Sequence, residues 1–298
     1  MEQVLEWGLD TIRLIQSIKT PGLDTLFIVI TSFGDEMFFI ILLTLVYWSV
    51  DKRAGARLAF ALFLSAYVNS FFKEIWKLPR PFEADPTVAV IREGGYSLPS
   101  GHSQMAVTVW GIVAFELKRK WFWIVAIFLM LSIGFSRVYL GVHYPTDVLA
   151  GWGFGIVILV LYILFVERIE RWVKSWNFWL KMGVSFVLPI IMAILLHEKN
   201  AVTVAGGLFG LGVGLTVAGR FLKWSVAGSF RRRTLRFIVG FIGLAIIFIG
   251  LRLIFPAENS DIYYMFVFIR YAVIGIWVTL GAPAVFLLTS LAVKEDDL

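Results

Sequence analysis

The sequence predicts an all-α fold, a polytopic transmembrane helix bundle with about nine spans. Of its 298 residues, 59% are hydrophobic and 16% are charged, and the mean hydropathy is +0.83. Soluble domains average about 45–50% apolar and about 25% charged residues, so this chain needs a bilayer as its solvent. It has no Cys, which excludes disulfides, thiolate metal sites and a cysteine nucleophile.

Nine apolar stretches come close to the roughly 20 residues that a transmembrane helix needs. They lie at residues 36–51, 55–76, 101–117, 121–141, 147–167, 177–196, 201–222, 237–255 and 270–291. Ahead of them, residues 3–18 carry apolar side chains at helical spacing, which predicts an amphipathic helix on the membrane or on the bundle. The segment 23–33 is short and is expected to form a re-entrant or interfacial helix. The acidic start of the chain does not resemble a cleavable signal peptide.

Clusters of basic residues predict the orientation of the bundle. They fall in alternate loops, at Lys52-Arg53, Lys118-Arg119-Lys120, Arg168/Arg171/Lys174 and Arg231-Arg232-Arg233. Because basic loops stay in the cytoplasm, the expected outer loops are 77–99, 142–146, 197–200 and 256–261, and the tail 294–298 is expected inside. The net charge of +6 is thus interpreted as topology, and no nucleic acid partner is expected. The predicted location is the bacterial cytoplasmic membrane.

Three cations depart from this charge pattern. Lys73, Lys77 and Arg80 lie at the outer end of the second span, where positive charge is normally avoided. A single lysine there could snorkel from the helix end to water. Three cations together indicate instead that the outer face binds an anion.

Two of the three histidines, His102 and His143, lie in polar motifs on this same side. The first motif is Lys73, followed after six residues by Arg80-Pro81, and the second is Pro99-Ser100-Gly101-His102. The third begins with Ser136-Arg137, continues after five residues with His143 and ends after three more with Asp147. In type, order and spacing they resemble the type 2 phosphatidic acid phosphatase (PAP2) superfamily, which includes vanadium haloperoxidases and glucose-6-phosphatase. The resemblance covers roughly residues 20–170 and implies a PAP2-type helical core with phosphatase activity. The distribution of basic loops predicts that its active site lies on the non-cytoplasmic face.

The cations in these motifs suit a phosphate ester. Its anionic oxygens repel nucleophiles, so catalysis depends mainly on charge neutralisation and positioning. Lys73, Arg80 and Arg137 supply fixed positive charge, and an arginine can bind two phosphate oxygens at once. Ser100 is placed to cap the third span, where the backbone N–H groups of Gly101 and the residue after it would point outward at a phosphate.

His143 and Asp147 are four residues apart at the start of the fifth span, with Pro145 suited to its first turn. Asp147 can then accept from one ring nitrogen and leave the other as a nucleophile, while His102 protonates the leaving oxygen and activates water. The resemblance implies the same roles: His143 as nucleophile, His102 as general acid and base, and Asp147 as orienting carboxylate. It also implies that phosphate is held by Lys73, Arg80, Ser100, Gly101 and Arg137. No metal ligand set is visible, and neither a metal nor another cofactor is expected.

Each of these side chains has a structural explanation when taken alone. His102 could cap a helix, Asp147 could be an ordinary acid in a first helical turn, and Arg137 could snorkel. Together they are predicted to converge on one membrane face, which favours the catalytic interpretation. The third histidine, His197, lies outside the motifs and is predicted to be a solvated loop residue.

Three domains are predicted: an N-terminal amphipathic and re-entrant segment at 1–35, the PAP2-like catalytic core at 36–170, and additional transmembrane helices at 171–298 without a catalytic motif. In the last of these, Gly206, Gly210 and Gly214 recur every fourth residue, which permits close helix packing within the chain or in a homodimer. Because a charge inside the hydrocarbon costs several kcal/mol, Arg270 is placed at the outer boundary, with 262–269 as an interfacial helix.

The sequence thus predicts a metal-independent membrane phosphatase that hydrolyses a lipid phosphate or diphosphate through a phosphohistidine intermediate. Candidate substrates include polyprenyl diphosphates such as undecaprenyl diphosphate, phosphatidic acid, phosphatidylglycerophosphate and sphingoid-base phosphates. One alternative is the same chemistry on a soluble ester such as a sugar phosphate. Another is a non-catalytic protein that binds or moves lipids on the same fold. The expected partners are the phosphorylated lipid and the surrounding membrane lipids.

Overall fold

The computed structural model describes residues 2–256, 258, 260 and 262–295. Its helices are α1 (Glu2–Gln16), α2 (Pro21–Ser32), α3 (Glu36–Leu45), α4 (Lys52–Trp76), α5 (Pro81–Ala84), α6 (Gly101–Leu117), α7 (Lys120–Tyr139), α8 (Pro145–Ser175), α9 (Phe178–Leu195), α10 (Lys199–Phe221), α11 (Phe230–Ile254), α12 (Tyr263–Ile276) and α13 (Ala282–Leu288). A π-helical turn extends α3 over Val46–Val50, and another joins α12 to α13 over Trp277–Gly281. Two short strands, β1 (Trp224–Ser225) and β2 (Val293–Lys294), pair antiparallel. The predicted all-α class is confirmed.

Seven segments of the described chain are helical, long and apolar enough to cross a membrane. They are Lys52–Ala84, Lys120–Tyr139, Pro145–Ser175, Phe178–Leu195, Lys199–Phe221, Phe230–Ile254 and Tyr263–Leu288. The pair Pro21–Ser32 and Glu36–Val50, bent by 45°, makes an eighth if it forms one broken span. Helix α6 adds 17 residues, which extend about 26 Å at 1.5 Å per residue. The prediction of a multi-span membrane protein with about nine spans is confirmed.

Large apolar side chains point outward along these helices. Leu253 is 80% exposed, Leu195 is 76% exposed and Ile124 is 72% exposed. Apolar surface gains about 25 cal/mol per Å² when it leaves water, so faces of this kind are stable only against lipid. The exposed apolar faces therefore agree with the bilayer that the composition requires.

The chain folds into two compact units. The first comprises Met1–Ile40 and Val68–Val166, and the second comprises Ile41–Tyr67 and Glu167–Leu298. All three polar motifs fall within the first unit. The functional division of the chain at residues 35 and 170 remains a prediction.

Helix α1 packs on the first unit, one of the two placements that its amphipathic pattern allows. Ile12 is fully buried in a cluster with Val88, Val138, Tyr144 and Val148. Val88 belongs to the loop between the first two motifs, and Val148 to the first turn of α8. Through these contacts α1 supports the segments from which the polar motifs project.

Helices α10 and α12 approach each other closely within the second unit. A Cβ atom at Gly206 would lie 2.4 Å from the carbonyl oxygen of Phe268, and one at Gly210 would lie 2.1 Å from that of Ala272. Backbones come this close only where glycine leaves room for them. The glycine repeat therefore serves packing within the chain, and the homodimer gains no support from it.

The prediction of a separate interfacial helix at 262–269 is wrong. Helix α12 runs from Tyr263 through Arg270 to Ile276 without a break, because Phe268 packs against the glycine face of α10 as part of the same helix. The guanidinium of Arg270 lies over the ring of Phe255, 5.6 Å from its centroid, a cation–π contact that offsets part of the cost of the charge. Residues 257, 259 and 261 of the predicted outer loop and 296–298 of the predicted inner tail lie outside the described residues.

Candidate active site

The start of α6 is built by a local capping motif. Ser100 is the N-cap, and its side-chain oxygen accepts from the backbone N–H of Ser103 at 3.4 Å. The backbone N–H of Ser100 donates to the carbonyl of Asp147 at 3.0 Å, which ties this helix start to the first turn of α8. The first N–H groups of a helix have no acceptor within it, so those of Gly101 and His102 are free to bind an anion.

Asp147 orients the ring of His143. Its Oδ2 lies 3.4 Å from His143 Nδ1, and both side chains are buried. The same oxygen accepts from the hydroxyl of Ser97 at 2.5 Å and from the backbone N–H of Tyr144 at 2.8 Å, so the carboxylate is held firmly. Because a carboxylate only accepts, this contact assigns the proton to Nδ1 and the lone pair to Nε2.

His143 lies in the loop between α7 and α8, where burial lowers its pKa well below the usual value. The positive charges of Arg80 and Lys73 lower it further. The ring is therefore neutral at physiological pH, as a nitrogen nucleophile must be. Its Nε2 accepts a hydrogen bond from Nη1 of Arg80 at 3.2 Å, so the lone pair points to the cation that is expected to hold the phosphate.

The predicted phosphate-binding cations converge on one short stretch of the loop between α5 and α6, residues 93–96. Arg80 is buried and donates from Nη2 to the carbonyl of Gly94 at 2.8 Å and from Nε to that of Gly95 at 2.9 Å. Lys73 donates from Nζ to the carbonyl of Tyr96 at 2.6 Å. These acceptors are backbone carbonyl oxygens, and the oxygens of a phosphate can accept from the same donors.

Arg137 completes the cluster of cations from α7. Its side chain is fully buried, donates from Nη1 to the hydroxyl of Thr31 at 2.7 Å and forms an ion pair with Glu93. Glu93 also lies 3.5 Å from Nη1 of Arg80. Burial raises the pKa of Glu93, but Arg137, His102 and Arg80 outweigh this effect and hold the pKa below its usual value. The Glu93 carboxylate is thus ionised between two of the cations.

His102 has a carboxylate partner of its own. Its Nε2 lies 2.7 Å from Oδ1 of Asp35, a residue in the turn between α2 and α3. The His102 side chain is 20% exposed, whereas that of His143 is 1% exposed. Both histidines of the site are therefore paired with an aspartate.

Two of the predicted polar residues lie apart from this cluster. Lys77 is exposed, 3.4 Å from Glu74 and above the ring of Tyr96. His197 belongs to the second unit, where its ring contacts that of Tyr264 at 4.4 Å between centroids. Neither side chain contacts the cations described above.

Four residues that contact the site were not singled out from the sequence: Thr31, Asp35, Glu93 and Ser97. Two of these carried a usable signal. Asp35 is an acidic residue between two apolar segments, and ionisable groups within membrane segments tend to be functional. Glu93 is an acidic residue in the loop that joins the first two motifs, nine residues before His102, and its position between those motifs is the signal. The polar contacts of Thr31 and Ser97 depend on tertiary packing. Among the described residues, no three His, Asp or Glu side chains group as metal ligands would.

Comparison with protein families assigns both halves of the chain. The model of the PAP2 superfamily matches residues 54–171, which contain all three polar motifs. A second model, the transmembrane extension of PAP2 superfamily phosphatases, matches residues 202–294. The chain belongs to the PAP2 superfamily. It is a membrane phosphatase, and helices α10 to α13 of the second unit match the transmembrane extension.

Two relatives of this PAP2 protein that each match more than half of the chain are phosphatases by name. It is 27% identical to undecaprenyl-diphosphatase of Sulfolobus acidocaldarius over 182 residues, 58% of this chain and 88% of that protein. It is 29% identical to phosphatidylglycerophosphatase B of Bacillus subtilis over 167 residues, 52% of this chain and 80% of that protein. The crystal structure of a transmembrane PAP2-type phosphatidylglycerolphosphate phosphatase from Bacillus subtilis superposes with a TM-score of 0.51 at 28% identity, over 57% of this chain and 90% of that one.

Proposed function

We propose that this enzyme removes phosphate from a phosphorylated membrane lipid, with His143 as the nucleophile. The observation that carries the proposal is the orientation of one ring. Asp147 holds Nδ1 of His143, and Nε2 faces Arg80 within a group of buried cations. This geometry combines an activated nucleophile with charge that neutralises a phosphoryl group.

The reaction proceeds in two steps. Nε2 of His143 attacks phosphorus as the bond to the leaving oxygen breaks, and His102 gives that oxygen a proton. His102 then takes a proton from water, whose oxygen attacks the phosphohistidine, so that phosphate leaves and His143 is regenerated. During both steps the phosphoryl oxygens replace the Glu93 carboxylate beside Arg137 and Arg80, and the N–H groups at Gly101 and His102 bind the third oxygen. Lys73 and Ser100 complete the predicted phosphate contacts.

A lipid substrate is favoured by the relatives. Their names state undecaprenyl diphosphate and phosphatidylglycerophosphate as substrates, and a third relative, mouse sphingosine-1-phosphate phosphatase 1, is 31% identical over 163 residues. The three substrates in these names are all phosphorylated lipids. The site also lies where α4, α6 and α8 begin or end, so a substrate anchored in the bilayer would present its head group at this level. The non-catalytic alternative is disfavoured because both histidines, Asp147 and the cations form one assembled site.

We assign the chemistry to the core at 36–170, with a contribution from the N-terminal segment. The hydroxyl of Thr31 accepts a hydrogen bond from Arg137, and the carboxylate of Asp35 contacts His102. The residues up to 35 therefore contribute direct contacts to the site. We assign no catalytic residue to 171–298.

A substrate panel tests the proposed function. We expect purified enzyme to release phosphate from lipid diphosphates or lipid monophosphates with a kcat/KM at least about 100-fold above that for sugar phosphates, because uniform binding energy from the acyl or prenyl chain raises kcat/KM. The assay contains EDTA, since the proposed mechanism uses no metal. Activity only on sugar phosphates, or only after addition of Mg²⁺ or Zn²⁺, would contradict the proposal.

We further propose that hydrolysis occurs on the non-cytoplasmic face of a bacterial cytoplasmic membrane. The basic clusters at 52–53, 118–120 and 231–233 support this orientation, because moving the site inside would put all of them outside. The absence of Cys permits a direct labelling test. Ala84 and Ala227 are both exposed, the first beside the site in α5 and the second in the loop before α11.

In intact cells, a membrane-impermeant thiol reagent should label Ala84→Cys and spare Ala227→Cys. Permeabilised cells provide the control, because both positions should then react. Labelling of Ala227→Cys and protection of Ala84→Cys in intact cells would reverse the orientation and place the chemistry in the cytoplasm.

A further inference from the structure

We propose that Asp35 is a positioning residue for His102, so that each histidine of the reaction is oriented by its own aspartate. The inference rests on the proposed function, since it concerns the acid and base role assigned to His102 there. Asp147 has this task for His143, four residues away on the same chain segment. Asp35 is 67 residues from His102 and reaches it from another element.

The turn between α2 and α3 is shaped to approach the His102 ring. Phe33 and Gly34 donate from their backbone N–H groups back to Ile30 and Thr31, which ends α2 and bends the chain. A Cβ at Gly34 would lie 3.2 Å from Cδ2 of His102 and 2.8 Å from a methyl group of Ile133. Only a residue without a side chain lets the turn pass this close. The next residue, Asp35, is thereby placed against the edge of the ring.

The contact determines which nitrogen of His102 exchanges the catalytic proton. A carboxylate accepts only, so Asp35 keeps a proton on Nε2. In the imidazolium form, which carries a proton on both ring nitrogens, Nδ1 is then the nitrogen that gives its proton to the leaving oxygen and later takes one from water. Without the carboxylate, the ring is free to rotate and to change tautomer, and the proton is less often in the productive position.

A general acid matters most when the leaving group is a strong base. Cleavage of a lipid monophosphate expels an alkoxide, whereas cleavage of a lipid diphosphate at its terminal phosphorus expels a far weaker base, a phosphate. Loss of His102 orientation should therefore slow the first reaction more than the second. A merely structural loss would lower both rates by the same factor.

The experiment measures single-turnover cleavage, with enzyme in excess over substrate and at a saturating concentration, for the wild type, Asp35→Asn, Asp35→Glu and His102→Ala. We expect Asp35→Asn to slow monophosphate cleavage about 10–100-fold and diphosphate cleavage less than about threefold. Asp35→Glu should recover part of the lost rate, because a carboxylate is still present. Apparent substrate affinity should change little, since Asp35 contacts none of the predicted phosphate ligands other than His102.

Asp24→Asn is the matched control. Asp24 lies in α2, accepts from the hydroxyl of Tyr139 at 2.8 Å and is far along the helix from the turn. This variant removes the same charge from the helix that leads into that turn and should leave the ratio of the two rates unchanged.

The double variant Asp35→Asn/His102→Ala separates a positioning role of Asp35 from a structural one. Asp35 should contribute nothing to the rates once the His102 ring has been removed. The inference is overturned if Asp35→Asn keeps wild-type rates, loses both rates equally or becomes faster while His102→Ala is slow. If His102→Ala itself retains wild-type rates, the role given to His102 in the proposed function is wrong instead.

Discussion

Replacing His143 by alanine is expected to lower kcat by about 10⁴-fold or more while the protein still folds. The substitution removes Nε2, the ring nitrogen that faces the phosphate-binding Arg80 and whose ring is held neutral by burial and nearby positive charge. Without it no phosphohistidine forms, and the remaining cations can only hold the substrate. The measurement is the turnover of lipid phosphate by the purified variant, together with its thermal unfolding temperature.

His197→Ala is the matched control for this variant. It removes the same side chain from the second unit, where the ring contacts only an aromatic neighbour among the contacts described, and should leave turnover unchanged. Asp147→Asn should cost less than His143→Ala because the nucleophile remains but loses its orientation. Near-normal turnover by well-folded His143→Ala would contradict the mechanism.

The second large effect is expected for Arg137→Lys, which should lower kcat/KM by about 10²–10³-fold. The substitution keeps the positive charge, but an ammonium group cannot contact Thr31 and a phosphate in the forked geometry of a guanidinium. Arg137 is fully buried, so water does not replace the lost donor. The measurement is kcat/KM for a lipid phosphate, normalised to folded enzyme.

Arg236→Lys is the control for the loss of a buried guanidinium. Arg236 is also fully buried, in the second unit, and donates to the backbone carbonyls of Ser225 and Val226. Both substitutions should lower stability, since each leaves buried acceptors without a donor. Only Arg137→Lys should lower the activity of the molecules that remain folded. Equal activity of the two variants would show that Arg137 has a structural role alone.

The sequence predicts the parts of the site that depend on local rules. Ser100 caps α6 and Pro145 begins α8 as expected, because capping and first-turn preferences act within a few residues. The spacing of His143 and Asp147 brings their side chains together for the same reason. Apolar stretch lengths and basic loops likewise predict the membrane helices without knowledge of their packing.

Contacts between distant segments could not be predicted in this way. The pairing of Asp35 with His102 requires the bend between α2 and α3 to reach the start of α6, and nothing in the local sequence states where that turn will lie. The prediction of an interfacial helix at 262–269 was wrong because it considered only the cost of placing the charge of Arg270 inside the hydrocarbon. Packing of Phe268 against the glycine face of α10 kept the helix continuous instead.

The central claim is the covalent intermediate on His143, and trapping that intermediate tests it most directly. Enzyme is mixed with a lipid substrate that carries a radiolabelled phosphate, then quenched within one turnover in alkali, in which phosphohistidine is stable. We expect label on the peptide that contains His143 and no label in His143→Ala. With a diphosphate substrate, whose weakly basic leaving group needs little help from a general acid, His102→Ala should carry more label because activation of water is slowed. Turnover without any protein-bound phosphate, or label on a residue other than His143, would contradict it.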